Sequence, residues 1–176
     1  FAIEAPGSAL SAIQKVQGVK VAFIEGVHKP LETSADGAGT PVLKNASSLA
    51  MTRAVEAAQK GDRQVIEVID SGLQTDHDAF AGSMDGVDVR LSQADVQAFA
   101  SKLPHGSSGT YVNSKIPFAY DYADNDADVV PHSEKDLSHG THVTAIAAAN
   151  ADVLQGTAPH AQIVVAKVAS DADGSM

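Results

Sequence analysis

The sequence predicts an α/β fold built on a parallel sheet. Three stretches carry that reading. Val65-Ile66-Glu67-Val68-Ile69 is short, β-branched at all but one position, and preceded by polar Gly61-Asp62-Arg63-Gln64. Such a run suits a buried strand of a parallel sheet. Thr141 to Asn150 is alanine-rich and apolar, and reads as a buried helix ending near Asn150. Gln162-Ile163-Val164-Val165-Ala166-Lys167-Val168 is a second strand of the buried type, introduced by the loop Gly156-Thr157-Ala158-Pro159-His160-Ala161. Strand, helix and strand in that order form the pattern of helices laid on a parallel sheet.

The chemistry sits at the joints between these elements. Asp70-Ser71-Gly72 ends the first strand. Glycine permits the turn, and the aspartate stands at the carboxyl end of the strand, the edge where open α/β sheets form sites. Asp-Ser-Gly is also ordinary turn chemistry, so turn capping alone is an open reading. Ser138-His139-Gly140-Thr141-His142-Val143 opens the helix, with Ser138 as the N-cap. A general base needs one imidazole nitrogen on the nucleophile and the other on a carboxylate that orients it. His139 and Asp70 can supply that pair. A metal centre built on His132, His139, His142 and Asp70 is the alternative. It lacks both the glutamate and the i, i+4 histidine spacing of an H-E-x-x-H helix.

Composition narrows the partners. The net charge is −10, and all of the acidic excess lies after residue 50. No basic patch exists to neutralise phosphates, which argues against nucleic acid. Cysteine is absent, which excludes disulfides and thiolate chemistry. No apolar run reaches membrane-spanning length. The chain begins with Phe1, so any signal peptide would lie upstream.

The front of the chain reads as strand, helix, strand. Residues 1–5 alternate, Pro6-Gly7-Ser8 breaks the strand, and Leu10, Ile13 and Val16 share a helical face. Gly18 ends that helix, and residues 19–25 read as a second strand. Together they resemble part of a ferredoxin-like unit. Residues 26–47 carry Gly26, Pro30, Gly37, Gly39 and Pro41 without periodicity, the composition of a linker. Residues 48–60 then read as a helix leading into the Asp70 strand.

Residues 73–137 form a long connection. Residues 92–103 read as a helix capped by Ser92, and residues 105–110 as a Gly/Ser turn. Asp121, Asp124, Asp126 and Asp128 cluster in sequence, and oxygen clusters suit calcium. Counted from Asp124, the glycine and glutamate of an EF-hand loop are replaced by Val129 and Lys135. A solvated acidic loop is therefore the competing reading.

The motifs together resemble the subtilisin-like serine proteases, or subtilases. The matching stretches are Val68-Ile69-Asp70-Ser71-Gly72, His139-Gly140-Thr141-His142-Val143, and Gly156-Thr157-Ala158-Pro159 with the strand after it. Lys115-Ile116-Pro117-Phe118-Ala119-Tyr120-Asp121-Tyr122 looks like the cell-envelope branch of that family, which includes lactocepin and the C5a peptidases of Gram-positive bacteria. The resemblance covers about residues 50–176. It implies that Asp70 and His139 are the aspartate and histidine of an Asp-His-Ser triad, with the serine and a side-chain oxyanion donor beyond Met176. It implies residues 1–27 as the C-terminal part of an inhibitory propeptide, 28–47 as a linker, and 48–176 as the N-terminal half of the catalytic domain. Its partners would be a peptide or protein substrate and its own C-terminal catalytic half. No redox or organic cofactor is implied; structural calcium is common in the family. The location implied is secreted or cell-envelope associated. A catalytically inactive homologue acting as a binding module is the second reading, and a metal-dependent hydrolase the third.

Two departures from the family pattern stand out. Thr144 and Ala145 follow the histidine motif where a small residue and then glycine are usual. Glu67 stands in the first strand where a small apolar residue is usual. If that strand is central, Glu67 is buried and either protonated or paired with Arg53, Lys60 or Lys167.

Overall fold

The computed structural model describes residues 3, 5–24, 49–102, 108–132, 139–152 and 154–174. Three parallel strands form its centre. Strand β1 is Val65–Asp70, β2 is Phe118–Asp121 and β5 is Gln162–Lys167. Their order is β1-β5-β2, so the last strand lies in the middle. Ile66 stands opposite Ile163, Val68 opposite Val165, and Asp70 opposite Lys167. Phe118 to Asp121 stand opposite Val164 to Lys167 on the other side. A short antiparallel pair, β3 (Asn150–Ala151) and β4 (Leu154–Gln155), follows the main helix. Among the described residues the helices are α1 (Leu10–Ile13), α2 (Gln93–Ala100) and α3 (His139–Ala148), with short 3-10 turns and a helical stub at residues 49–51.

One face of the sheet makes the core. Val68, Ile163, Val165 and Ala119 pack with Ala148, Ala149, Leu73 and Phe80, while Ile66 and Ala145 lie against the same cluster. Alternation along each strand puts these residues on one side. Helix α3 covers them, and its alanines allow close approach. The opposite face is less covered: Glu67 is exposed, and Ile69 retains 62% of its accessible surface.

Gln162 and Lys115 tie the sheet to its surroundings. The Gln162 side-chain carbonyl accepts from the amides of Arg90 and Leu91. Its amide group donates to the carbonyls of Leu91 and Ser114. The Lys115 ammonium, 2% exposed, donates to Pro159 O and Ala161 O, both at 2.7 Å. A buried ammonium held only by neutral carbonyls is poorly compensated for lost water. Burial accordingly lowers its pKa to about 8.

Several expectations need correction. Glu67 is not buried, because β1 is an edge of the described sheet and Glu67 lies on its open face. Lys167 lies on the other face, two-residue alternation separating the two. Arg53 pairs with Glu56 instead, and the Lys60 ammonium donates to Val55 O. Residues 19–24 form no strand, so the front segment shows a short helix without a second strand. Of the helix expected over 48–60, the described residues 49–60 are a helical stub at 49–51 and a 3-10 turn at Ala54–Glu56, with Arg53 left-handed at φ 59°, in place of a continuous helix. Helix α3 ends at Ala148, and Asn150 already belongs to β3. Helix α2 begins after Ser92 as read, closed by a reciprocal capping box with Asp95, but it ends at Ala100. Residues 26–47, Ser138 and residues 103–107 lie outside the described residues, and with them the linker, the expected cap and most of the Gly/Ser turn.

Candidate active site

Asp70 is the last residue of β1, and His139 is the first residue of α3. The fold brings them together: His139 Nδ1 lies 2.8 Å from Asp70 Oδ1. Both side chains are mostly buried, at 21% and 14% exposure. The Ser71 amide donates to the same Asp70 oxygen at 2.7 Å, which fixes the carboxylate against its own turn. A carboxylate accepts and does not donate, so this contact puts the imidazole proton on Nδ1 and makes Nε2 the basic nitrogen.

The junction of strand and helix is closed by small groups. The Gly140 amide donates to Ser71 Oγ at 3.2 Å, serving an N-terminal helix donor from the neighbouring turn. The Gln74 amide donates to Thr141 Oγ1 at 3.0 Å. A Cβ on Gly140 would overlap Gly72 O and come within 3.1 Å of Asp70 Oδ1. Only glycine lets the helix start this near the strand end. Gly72 adopts φ +124°, and a side chain there would lie 2.5 Å from Val129 O.

The far end of α3 is also closed. Gly156, Thr157 and Ala158 donate their amides to the carbonyls of Ala149, Ile146 and Ala147. Gly156 can approach because a Cβ there would meet the backbone of Ala147 to Ala149 at 2.5–2.7 Å. The Gly-Thr-Ala-Pro loop is therefore the C-terminal cap of the histidine helix. Thr144, a departure from the family pattern, is fully buried, and its hydroxyl donates to Gly140 O at 2.6 Å. The hydroxyl of this bulkier residue is satisfied within the helix.

Of the four residues of the metal alternative only Asp70 and His139 meet. His132 Nε2 lies 3.1 Å from Asp128 Oδ2 on the surface, and His142 is exposed. Among the described residues the one group of acidic or histidine side chains near enough to share a metal ion is Asp121, Asp124 and Asp171. Lys167 Nζ sits among them, 2.7 Å from Asp121 Oδ2 and 2.6 Å from Asp171 Oδ1. Elsewhere the acidic loop uses its carboxylates on its own backbone. Asp121 Oδ1 accepts from Ala123 and Asp124, Asp126 from Asp128, and Asp128 from Val130.

The sequence reading paired Asp70 with His139, and the structure brings the two into contact. That reading missed the supporting roles of Ser71, Gly140, Thr141 and Lys115. Gly140 carried a usable signal, since a glycine in the first turn of a helix requires a reason. A lysine leading into the apolar run Ile116-Pro117-Phe118 was a weaker sign of a buried stem.

The profile of the subtilase family matches residues 61–176. The chain belongs to the subtilase family. It is 33% identical over 171 residues to the PII-type proteinase of Lactococcus lactis subsp. cremoris, covering 93% of this chain and 8% of that protein. The PII-type proteinase of Lacticaseibacillus paracasei is 32% identical over the same length. The C5a peptidase of Streptococcus pyogenes serotype M6 is 34% identical over 122 residues, 64% of this chain and 10% of that protein. This chain thus spans about a tenth or less of the length of these relatives. A match over 93% of the chain must also reach back into residues 1–48, further than the motifs alone carried the resemblance.

Proposed function

We propose that this chain supplies the aspartate and histidine of a serine endopeptidase whose serine lies in sequence beyond Met176. The reading rests on one observation, the 2.8 Å contact between His139 Nδ1 and Asp70 Oδ1 at the carboxyl end of a parallel sheet. In this reading His139 Nε2 takes the proton of the serine hydroxyl as it attacks the substrate carbonyl, then returns it to the leaving amine. Asp70 holds the tautomer and stabilises the imidazolium. The substrate is a peptide or protein, as the family and the proteinase relatives suggest.

Exposed apolar groups support a further part of the proposal. Ile69 on the open sheet face stays 62% exposed, and Val143 and Ile146 on the outer side of α3 stay 37% and 42% exposed. The downstream catalytic half would cover such apolar surface. Residues 1–27 and 28–47 would be the end of a propeptide and its linker, and the location secreted or cell-envelope associated. No redox or organic cofactor is required. Calcium at the acidic loop is disfavoured by the backbone amides and the lysine that already use its carboxylates.

A fluorophosphonate probe on the full-length protein tests the proposal. Labelling is expected at a serine outside residues 1–176 and should be lost in His139→Ala. This chain alone should stay unlabelled. An unlabelled full-length protein would favour the inactive binding module. In an active full-length protein, new N-termini are expected between Gly26 and Ser47, where the sequence lacks periodicity.

A further inference from the structure

We propose that Lys167 is a resident cation, its ammonium doing for the strand ends beside Asp70 what a bound metal ion would otherwise do. Lys167 closes β5, the middle strand, and stands opposite Asp70 on one side and Asp121 on the other. Its side chain is 0% exposed. The ammonium lies 2.7 Å from Asp121 Oδ2, 2.6 Å from Asp171 Oδ1 and 4.0 Å from Asp124 Oδ2. The three carboxylates offer oxygens that all lie within 4.8 Å of one another, a spacing that would suit one small cation. The Asp121 contact is one of charge: Asp121 Oδ2 and Lys167 Nζ are both sealed from solvent and lack hydrogen-bond angles.

The cluster organises two loops. Asp124 Oδ2 accepts from the Asp171 amide, and Ser170 Oγ donates to Asp124 Oδ1. Asp171 Oδ1 accepts from the His132 amide. The loop after β2 and the loop after β5 are therefore fastened through groups gathered around one ammonium. The Val168 amide donates to Asp70 O, which joins the same strand end to the candidate dyad. Burial alone would lower the Lys167 pKa, but the contacts with Asp121 and Asp171 outweigh it and hold it above the ordinary lysine value. Burial would raise the Asp171 pKa, and Lys167 reverses that and lowers it.

The test uses the full-length protein in a His139→Ala background, which keeps self-cleavage out of the measurement. Lys167→Met keeps the stem and removes the charge. Its thermal midpoint should fall by several degrees at pH 7.5, because the buried Asp121 carboxylate and the partly exposed Asp171 lose their counter-ion. The deficit should shrink as the pH falls, because without Lys167 the burial of Asp171 favours its protonated carboxyl. The other titratable groups nearby are the pair His132 and Asp128, and Asp70; Lys167 also lowers the Asp128 pKa, so the loss of that interaction acts on the difference in the same direction. Lys167→Met with Asp121→Asn should recover at least half of the loss, and millimolar calcium should raise the midpoint of Lys167→Met more than that of the parent. If Lys167→Met does not fold, folding of the double variant supports the proposal and failure of both overturns it. A deficit unchanged by pH and calcium, with the two substitutions adding, would mean that Lys167 only fills space.

Discussion

Gly140→Ala separates the requirements of a helix from those of the site. In an ordinary helix interior, alanine is favoured over glycine by about 1 kcal/mol. Here the added methyl would overlap Gly72 O and crowd Asp70 Oδ1 and the Gly72 amide, both at 3.1 Å. The obstruction is backbone, which no rotamer change can relieve. Helix α3 must withdraw from β1 by well over 1 Å to restore ordinary contact, and overpacking of this kind costs roughly 1–3 kcal/mol. The overlap therefore outweighs the propensity gain. The same withdrawal would lengthen the 2.8 Å His139–Asp70 contact past the range of a hydrogen bond. Displacement of that size costs catalysis roughly 100-fold. Peptide hydrolysis by the full-length protein and its thermal midpoint should fall together. A Gly140→Ala protein with parental turnover and an unchanged midpoint would show that the strand–helix junction is not closed as described.

Lys115 should make stability pH-dependent. Its pKa is about 8 when folded against 10.5 for a free lysine side chain, so the unfolded chain holds more protons between those limits and stability rises with pH through that window. Measured as parent minus Lys115→Met, the gain should be roughly 2–3 kcal/mol between pH 8 and 10.5, and a flat difference would contradict the burial argument. The neutral amine keeps two protons, enough for both carbonyls it now serves. Ile69→Lys should reduce the binding of a hydrophobic dye by this chain alone while leaving its circular dichroism unchanged, since Ile69 is 62% exposed on the open face; equal dye binding would place the sticky surface elsewhere. Ser92→Ala should destabilise the α2 region by about 1 kcal/mol, read by hydrogen exchange of residues 93–100, because it removes half of the capping box.

The sequence made the parallel strands and the histidine helix legible because both carry strong local patterns. A five-residue run that is β-branched at all but Glu67 and broken by Asp-Ser-Gly has few other uses, and an alanine-rich run after His-Gly-Thr has fewer. Other elements depend on partners far away in the chain. Strand β2 has four residues, and its pairing with β5 is set by register and by the Thr110–Ala119 bridge, neither of which is a local signal. The β3–β4 pair has two residues on each side, too short for alternation to show. The front segment alternated well enough to suggest strands, yet among the described residues the segment 19–24 has no neighbouring strand to pair with, and alternation without a partner does not make a strand.

Glu67 and Lys167 show where such reading reaches its limit. From sequence, a carboxylate inside one apolar strand and a lysine inside another invite a pairing across the sheet. Both strands are real, and they are neighbours. Yet the side-chain period of two puts Glu67, opposite Val164, on the open face and Lys167, opposite Asp70, on the covered one. A shift of register by a single residue would have reversed the outcome. The true partners of Lys167, Asp121 and Asp171, come from the end of β2 and from the loop after β5. Composition fixes how many charges must be matched in a fold. Which charges meet is decided by topology and register, and at this strand end that choice put a lysine among the carboxylates that the sequence had offered to calcium.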